Sequence, residues 1–188
     1  MVFIDSLSVT LLLLGFSSLT ISLYFFLSAR GKKDISALIV LAFIFGLFDS
    51  ISGFIMSFTW PLPGAYNMLF GDPLLVLGLI MVAGAYMLYK KIDAKILSIF
   101  GFLLGVYLAV CAAGIVNFNL ETGVNFLPAF GLYVMSALSA LFSPLVYINA
   151  KNRKKYVYYF LFALLVITSF VAFFLGYTSI YKHLQSPP

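Results

Sequence analysis

Long apolar runs, separated by short segments that carry nearly all of the charge, dominate this chain of 188 residues. An α-helix needs about 20 apolar residues to cross the roughly 30 Å of hydrocarbon in a bilayer. The strict apolar–polar alternation of a transmembrane β-strand is absent. The apolar runs cover residues 7–29, 35–58, 73–89, 96–116, 126–148 and 157–180. This pattern predicts an all-α, polytopic membrane protein whose six transmembrane helices form one bundle over residues 1–188.

The third run, residues 73–89, is short for a span. The sequence leaves open whether this helix tilts little or is extended backward by Met68, Leu69 and Phe70.

The composition supports the bilayer as the solvent of this protein. Only 9% of the residues are charged and 63% are hydrophobic, whereas a soluble domain is roughly 25% charged and about half apolar. The formal net charge of +5 does not indicate nucleic acid, because basic residues of membrane proteins collect in loops that face anionic lipid. Membrane lipid is therefore a predicted partner and nucleic acid is not.

Basic residues occur in alternate loops, with Lys182 as the exception. They are Arg30, Lys32 and Lys33, then Lys90, Lys91 and Lys95, then Lys151, Arg153, Lys154 and Lys155. The positive-inside rule places these loops in the cytoplasm. Because the helix count is even, the N-terminus and the C-terminus both lie on the outer side, and the predicted location is the plasma membrane.

Small residues mark predicted helix-packing faces, because small side chains let helices approach closely in lipid. Helix 4 carries Gly101, Gly105, Ala109 and Ala113, and helix 2 carries Gly46, Ser50, Gly53 and Ser57. The four-residue spacing predicts that each set shares one face and that helix 4 is central. Packing within the chain accounts for such faces, and contact with a second copy is the alternative. In helix 5, Pro144 is able to kink the cytoplasmic half.

Asp49 is the only charged residue within the six predicted spans, and it lies about midway along helix 2. An ionised carboxylate at the bilayer centre costs at least about 2.5 kcal/mol, so we expect Asp49 to face the bundle interior, where burial favours its neutral form. Two interpretations stay open. Asp49 is either a proton, cation or ligand site, or a neutral carboxyl that bonds a neighbouring helix and sets its register.

The outer segment from Thr59 to Pro73 is rich in Pro and Gly yet apolar and aromatic. Irregular backbone at membrane depth is tolerated when it is buried in protein or lines a cavity, so we expect this loop to fold onto the helices. Asn67 and Asp72 then join Asp49 and its neighbour Ser50 in a candidate polar ligand site. The alternative for Asp72 is a helix N-cap, with Pro73 at the first helical position.

Several chemistries lack their residues. The single histidine, His183, follows helix 6, so neither a multi-histidine zinc site, nor bis-histidine haem, nor a Ser–His pair within the membrane is available. We predict no metal, no cofactor and no catalytic residue. An intramembrane aspartyl protease with Asp49 and Asp72 as its pair ranks last, because the first Gly of the Gly-x-Gly-Asp motif is missing before Asp72.

The stretch from Gly46 to Gly78 contains three distinctive short motifs. They are residues 60–64 (Trp-Pro-Leu-Pro-Gly), Tyr66-Asn67 and residues 70–73 (Phe-Gly-Asp-Pro). This stretch resembles an uncharacterised family of small multi-pass membrane proteins found mainly in archaea. The resemblance implies no activity, ligand or catalytic residue.

The leading functional hypothesis is a non-catalytic membrane protein that binds or conducts a small solute, ion or proton at a polar site near Asp49. The alternative is an accessory or scaffold subunit of a larger membrane complex. An intramembrane enzyme comes third, since acid–base residues are scarce.

Overall fold

The computed structural model describes residues 6–32, 34–148 and 154–185. The long helices in these ranges are α1 Ser6–Ala29, α2 Ser36–Thr59, α3 Asp72–Tyr89, α4 Lys95–Asn117, α5 Phe126–Phe142 and α6 Lys154–Gln185. With the short helical turns that adjoin α3 and α5, six segments are long and apolar enough to cross a membrane. The predicted all-α fold with six long apolar helices is confirmed and indicates a membrane protein. The predicted loop cations Lys33, Lys151 and Arg153 lie outside the described residues.

A π-helical turn, Asn67–Gly71, runs directly into α3. Of the two alternatives for the third span, the structure therefore shows the backward extension, and Asn67–Tyr89 forms a continuous segment of 23 residues. In an α-helix the N–H of residue 73 would bond the carbonyl of Leu69, but Pro73 has no N–H to donate. The Tyr133 hydroxyl of α5 donates to the Leu69 oxygen instead, at 2.6 Å.

The fifth segment changes its helix type before its end. The α-helix stops at Phe142 and a 3-10 turn, Ser143–Tyr147, follows. The Ser143 N–H bonds the carbonyl of Ala140, three residues back, and Pro144 has no N–H to continue the α-helical pattern. Pro144 therefore ends the α-helix in this half of the predicted span.

The helices form a ring in chain order. Each long helix packs against the next one in the sequence, and α6 packs back against α1. The C-terminal parts of α1, α3 and the α5 segment and the N-terminal parts of α2 and α4 line one space, so the corresponding loops lie at one end of the bundle. We call this the basic end; its described cations are Arg30, Lys32, Lys90, Lys91, Lys95, Lys154 and Lys155. The Trp60–Tyr66 loop lies at the opposite end.

The predicted small-residue face of α2 packs on α3. Gly46 and Gly53 of α2 lie against Gly78 of α3 and Gly71 of the π-helical turn. An added Cβ would lie 2.7 Å from the Met81 Cβ at Gly46 and 2.8 Å from the Ser57 hydroxyl at Gly71. Small residues on both helices thus permit near backbone contact, the arrangement by which apolar helices associate in lipid.

The four residues of the predicted α4 packing face do not share one environment. Gly105 packs against the α5 backbone, where an added Cβ would lie 2.6 Å from the Leu141 nitrogen, and Gly101 is half-buried beside Ser143. Ala109 and Ala113 are exposed, because each four-residue step turns about 40° beyond a full helical turn. Helix α4 packs against α3 and the α5 segment and is not central, contrary to the prediction.

Candidate functional site

Asp49 lies completely buried about midway along α2. It shares the helix face that buries Gly46, Gly53 and Met56, because residues three, four and seven positions apart align on one side of a helix. The Ser17 hydroxyl of α1 donates a hydrogen bond to Asp49 Oδ2. Asp49 Oδ1 has no hydrogen-bond partner among the described residues. The carboxyl thus joins α1 to α2 with one of its oxygens.

Ser50 takes part in helix packing. Its hydroxyl donates to the Gly46 carbonyl of the preceding turn at 2.8 Å. An added Cβ at Gly78 of α3 would overlap the Ser50 backbone. The Ser50 hydroxyl is therefore bonded within α2 at the α2–α3 contact.

Asn67 organises the loop that precedes α3. Its side chain is fully buried, its Oδ1 accepts a hydrogen bond from the Leu62 N–H at 2.8 Å, and its Nδ2 donates to the Leu62 carbonyl. The amide thereby satisfies both backbone groups of one loop residue. This arrangement accounts for the ordered course of an irregular segment that lacks regular backbone pairing.

Asp72 links three elements and is not an N-cap. Gly71 occupies the cap position of α3 and Asp72 makes no capping bond, contrary to the capping alternative. The Ser57 hydroxyl of α2 donates to Asp72 Oδ1 at 2.6 Å, and the Tyr107 hydroxyl of α4 lies 3.0 Å from Asp72 Oδ2. The same Tyr107 hydroxyl lies 3.1 Å from the Met68 carbonyl of the π-helical turn.

The structure does not bring the predicted site residues into one pocket. Ser57, which bonds Asp72, follows Asp49 by about two helical turns, or about 12 Å along α2. Asn67 uses its amide inside the loop, and Ser50 is bonded within its own helix. Within the described ranges, no group of three or more His, Cys, Asp or Glu side chains is placed to hold a metal ion.

The interior of the ring holds two adjoining cavities. The larger, of about 240 Å³, is lined by residues of every helix and extends to the basic end. The smaller, of about 90 Å³, lies nearer the opposite end. Both are lined by Ile21, Leu77, Leu104, Ser139, Ala140 and Leu165. We call the two together the axial cavity.

Apolar side chains form most of the axial cavity wall. Of the described residues, no charged side chain lines it, and Asp49, Ser50, Asn67 and Asp72 are not part of it. Its polar groups toward the basic end include the tyrosines Tyr24 and Tyr147 and the serine Ser143. The Ser143 hydroxyl is buried without a hydrogen-bond partner among the described residues. Such an apolar cavity with few polar groups is the usual form of a small-molecule site.

Residues 1–186 match the family described as "Protein of unknown function (DUF981)". The chain belongs to this family. The prediction that the chain belongs to an uncharacterised family is confirmed. The DUF981 match extends far beyond residues 46–78, which carried the resemblance. The DUF981 description names neither archaea nor a membrane location, so the mainly archaeal occurrence stays a prediction. No curated protein and no solved structure matches this DUF981 chain.

Sequence reasoning missed four hydroxyl groups of this DUF981 protein: those of Ser17, Tyr107, Tyr133 and Ser143 as bonding or cavity groups. Tyr107 and Tyr133 offered a signal, since each is a phenol within an apolar run and a buried phenol usually finds a hydrogen-bond partner. Their partners include backbone carbonyls, the oxygens of Met68 and Leu69, which no side-chain pattern identifies.

Proposed function

We propose that this chain is a polytopic plasma-membrane protein that binds a small solute in the axial cavity. The observation that carries the proposal is a space lined by residues of all six helices, with an apolar wall and few polar groups. A hydrated ion would lose its water there without gaining charged or coordinating partners, which is costly. The favoured solute is therefore an apolar or amphipathic molecule.

The proposed orientation has the basic end in the cytoplasm and both chain termini outside. It is supported by the grouping of Arg30, Lys32, Lys90, Lys91 and Lys95 at one end of the ring, because cytoplasmic loops carry the excess of Lys and Arg. Under this orientation the larger cavity opens toward the inner leaflet.

Asp49 supports a second candidate function, the binding or transport of a proton. Its unpartnered Oδ1 is free to hold a proton, and buried ionisable residues in membranes are often functional. This candidate predicts that Asp49→Asn abolishes proton-coupled flux in liposomes while the protein still folds. Unchanged flux would remove it.

The accessory-subunit alternative uses the outer surface of the ring. Ala109 and Ala113 of α4 are exposed small residues, and small residues favour close helix contact in lipid. A homo-oligomer or a larger membrane complex would then remain associated in mild detergent. A monodisperse single chain under those conditions would count against this role.

Filling the axial cavity tests the main proposal. Ala140 lines both compartments, so Ala140→Phe places an aromatic ring in the shared region. Ala109→Phe is the matched control, because it makes the same change on the exposed side of α4. Dodecanol is the probe, and native mass spectrometry of protein released from micelles counts its bound molecules.

Wild type and Ala109→Phe should each retain one dodecanol, and Ala140→Phe should lose it. Circular dichroism shows whether Ala140→Phe folds. If it does not, Ser139→Leu at a second shared wall position provides the test, and it should also lose the bound dodecanol. Equal dodecanol retention in folded cavity-filling variants would reject the axial cavity as the site.

A further inference from the structure

We propose that the ligand of the axial cavity is an anionic amphiphile, with its hydrocarbon chain inside the ring and its carboxylate or phosphate group at the basic end. This inference rests on the proposed function and adds the chemical class of the ligand. It depends on three features: an apolar interior, cations around one opening, and the unpartnered Ser143 hydroxyl between them.

The larger cavity extends to the loops of the basic end. Its wall includes Ile35 just before α2, Leu88 in the last turn of α3 and Ala94 just before α4. These positions lie within a few residues of Lys32, Lys90 and Lys95. A ligand whose chain fills the cavity would therefore hold its polar group among these loops.

The cations at this end lie against aromatic rings. Arg30 lies 5.2 Å from the ring centroid of Phe26, and Lys90 lies 5.5 Å from that of Tyr89. Lys154 and Lys155 stack in the same way, at 5.9 Å and 5.8 Å from Tyr158 and Tyr159. A cation–π contact orients a cation without removing its charge, so these groups remain available to an anion.

The carboxylates at this end are engaged with local backbone and side-chain donors. The Ser36 hydroxyl donates to Asp34 at 2.7 Å, and this bond, with the Ser36 N–H bond, lowers the pKa of Asp34 below its ordinary value. The Lys95 N–H donates to Asp93 at 2.9 Å. Among the described residues, the cations of the basic end outnumber Asp34 and Asp93. The opening is therefore positive and disfavours cationic amphiphiles.

Hydroxyl groups line both compartments of the axial cavity, and the buried one without a hydrogen-bond partner among the described residues lies toward the basic end. Tyr24, Tyr147 and the unpartnered Ser143 hydroxyl lie toward the basic end. The compartment near the opposite end is lined by leucines and by hydroxyl residues such as Thr10 and Thr168, whose hydroxyl groups donate to carbonyls of their own helices. A buried hydroxyl without a partner is costly, and a ligand oxygen near Ser143 would satisfy it.

Matched amphiphiles test this inference. Dodecanol, dodecylamine, laurate and dodecyl phosphate share one chain and differ in head group, and native mass spectrometry gives their apparent affinities. A charge-assisted hydrogen bond should make an anionic probe at least about tenfold tighter than dodecanol, with dodecylamine the weakest. Preference for laurate alone identifies a fatty acid, preference for dodecyl phosphate alone a phospholipid-like head group, and preference for both a general anion site; each supports the inference.

Charge removal provides the matched control. The double variant Arg30→Gln, Lys90→Gln should lose most of the anion preference and keep its dodecanol affinity. Lys182→Gln, which removes the cation outside the basic end, should change neither. Equal affinities for dodecanol and both anions would overturn the inference and leave the proposed cavity function standing. Failure of every probe to bind would reject the proposed function itself.

Discussion

The Ser17 hydroxyl of α1 donates a hydrogen bond to Asp49 of α2 at the level of the bundle centre, and both side chains are fully buried. This bond joins two helices that are adjacent in the ring. Hydrogen bonds between membrane helices contribute about 0.6 kcal/mol on average and up to about 1.7 kcal/mol. The contact is therefore expected to stabilise the α1–α2 pair modestly, whether or not Asp49 also binds and releases a proton.

A double-mutant cycle measures that bond. Ser17→Ala and Asp49→Ala should each lower the free energy of unfolding in mixed micelles, and the double variant should lose less than their sum, with a coupling of about 0.6 to 1.7 kcal/mol. Ser22→Ala is the control, because the buried Ser22 hydroxyl bonds its own helix at the Leu19 carbonyl. Coupling as large between Ser22 and Asp49 would show that the effect is not the observed bond.

The α2–α3 contact should be intolerant of a single methyl group. A Cβ at Gly78 would overlap the Ser50 backbone and the Gly46 carbonyl, neither of which can rotate away, so Gly78→Ala should cost about 1–3 kcal/mol. Gly131→Ala, where nothing lies within 4 Å, should be neutral or more stable by up to about 1 kcal/mol. Thermal unfolding in detergent compares the two. Equal stability of both variants would mean that α2 and α3 are not in close contact.

The apolar runs and the α2 packing face were predictable because both depend on local sequence: run length against bilayer thickness, and small residues at helical spacing. The rotation of α4 was not predictable, and Ala109 proved exposed where Ala112 is buried. Lipid is as apolar as the protein interior, so hydropathy does not separate inward from outward faces. The axial cavity depends on the rotations of all six helices together, which no local pattern encodes, so the sequence predicted a site near Asp49 instead.

The π-helical turn should depend on a phenol from α5. Tyr133→Phe removes the hydroxyl that donates to the Leu69 carbonyl. Pro73 has no N–H to replace that donor. An unsatisfied buried acceptor costs about 1–3 kcal/mol. In a Pro73→Ala background the N–H of residue 73 becomes available to that carbonyl, so the same tyrosine change should cost less. Urea unfolding in mixed micelles gives both differences. An identical cost in the two backgrounds would contradict this account.

Cysteine accessibility tests the proposed threading of the chain. With Cys111→Ser as the background, Asp93→Cys places a thiol in the α3–α4 loop of the basic end, and Asn119→Cys places one after α4 at the opposite end. If the basic end is cytoplasmic, a membrane-impermeant maleimide added to intact cells should label position 119 and reach position 93 only after permeabilisation. Labelling of position 93 in intact cells would reverse the orientation. The anionic head group would then face the outer leaflet, while the ring and its cavity would be unaffected.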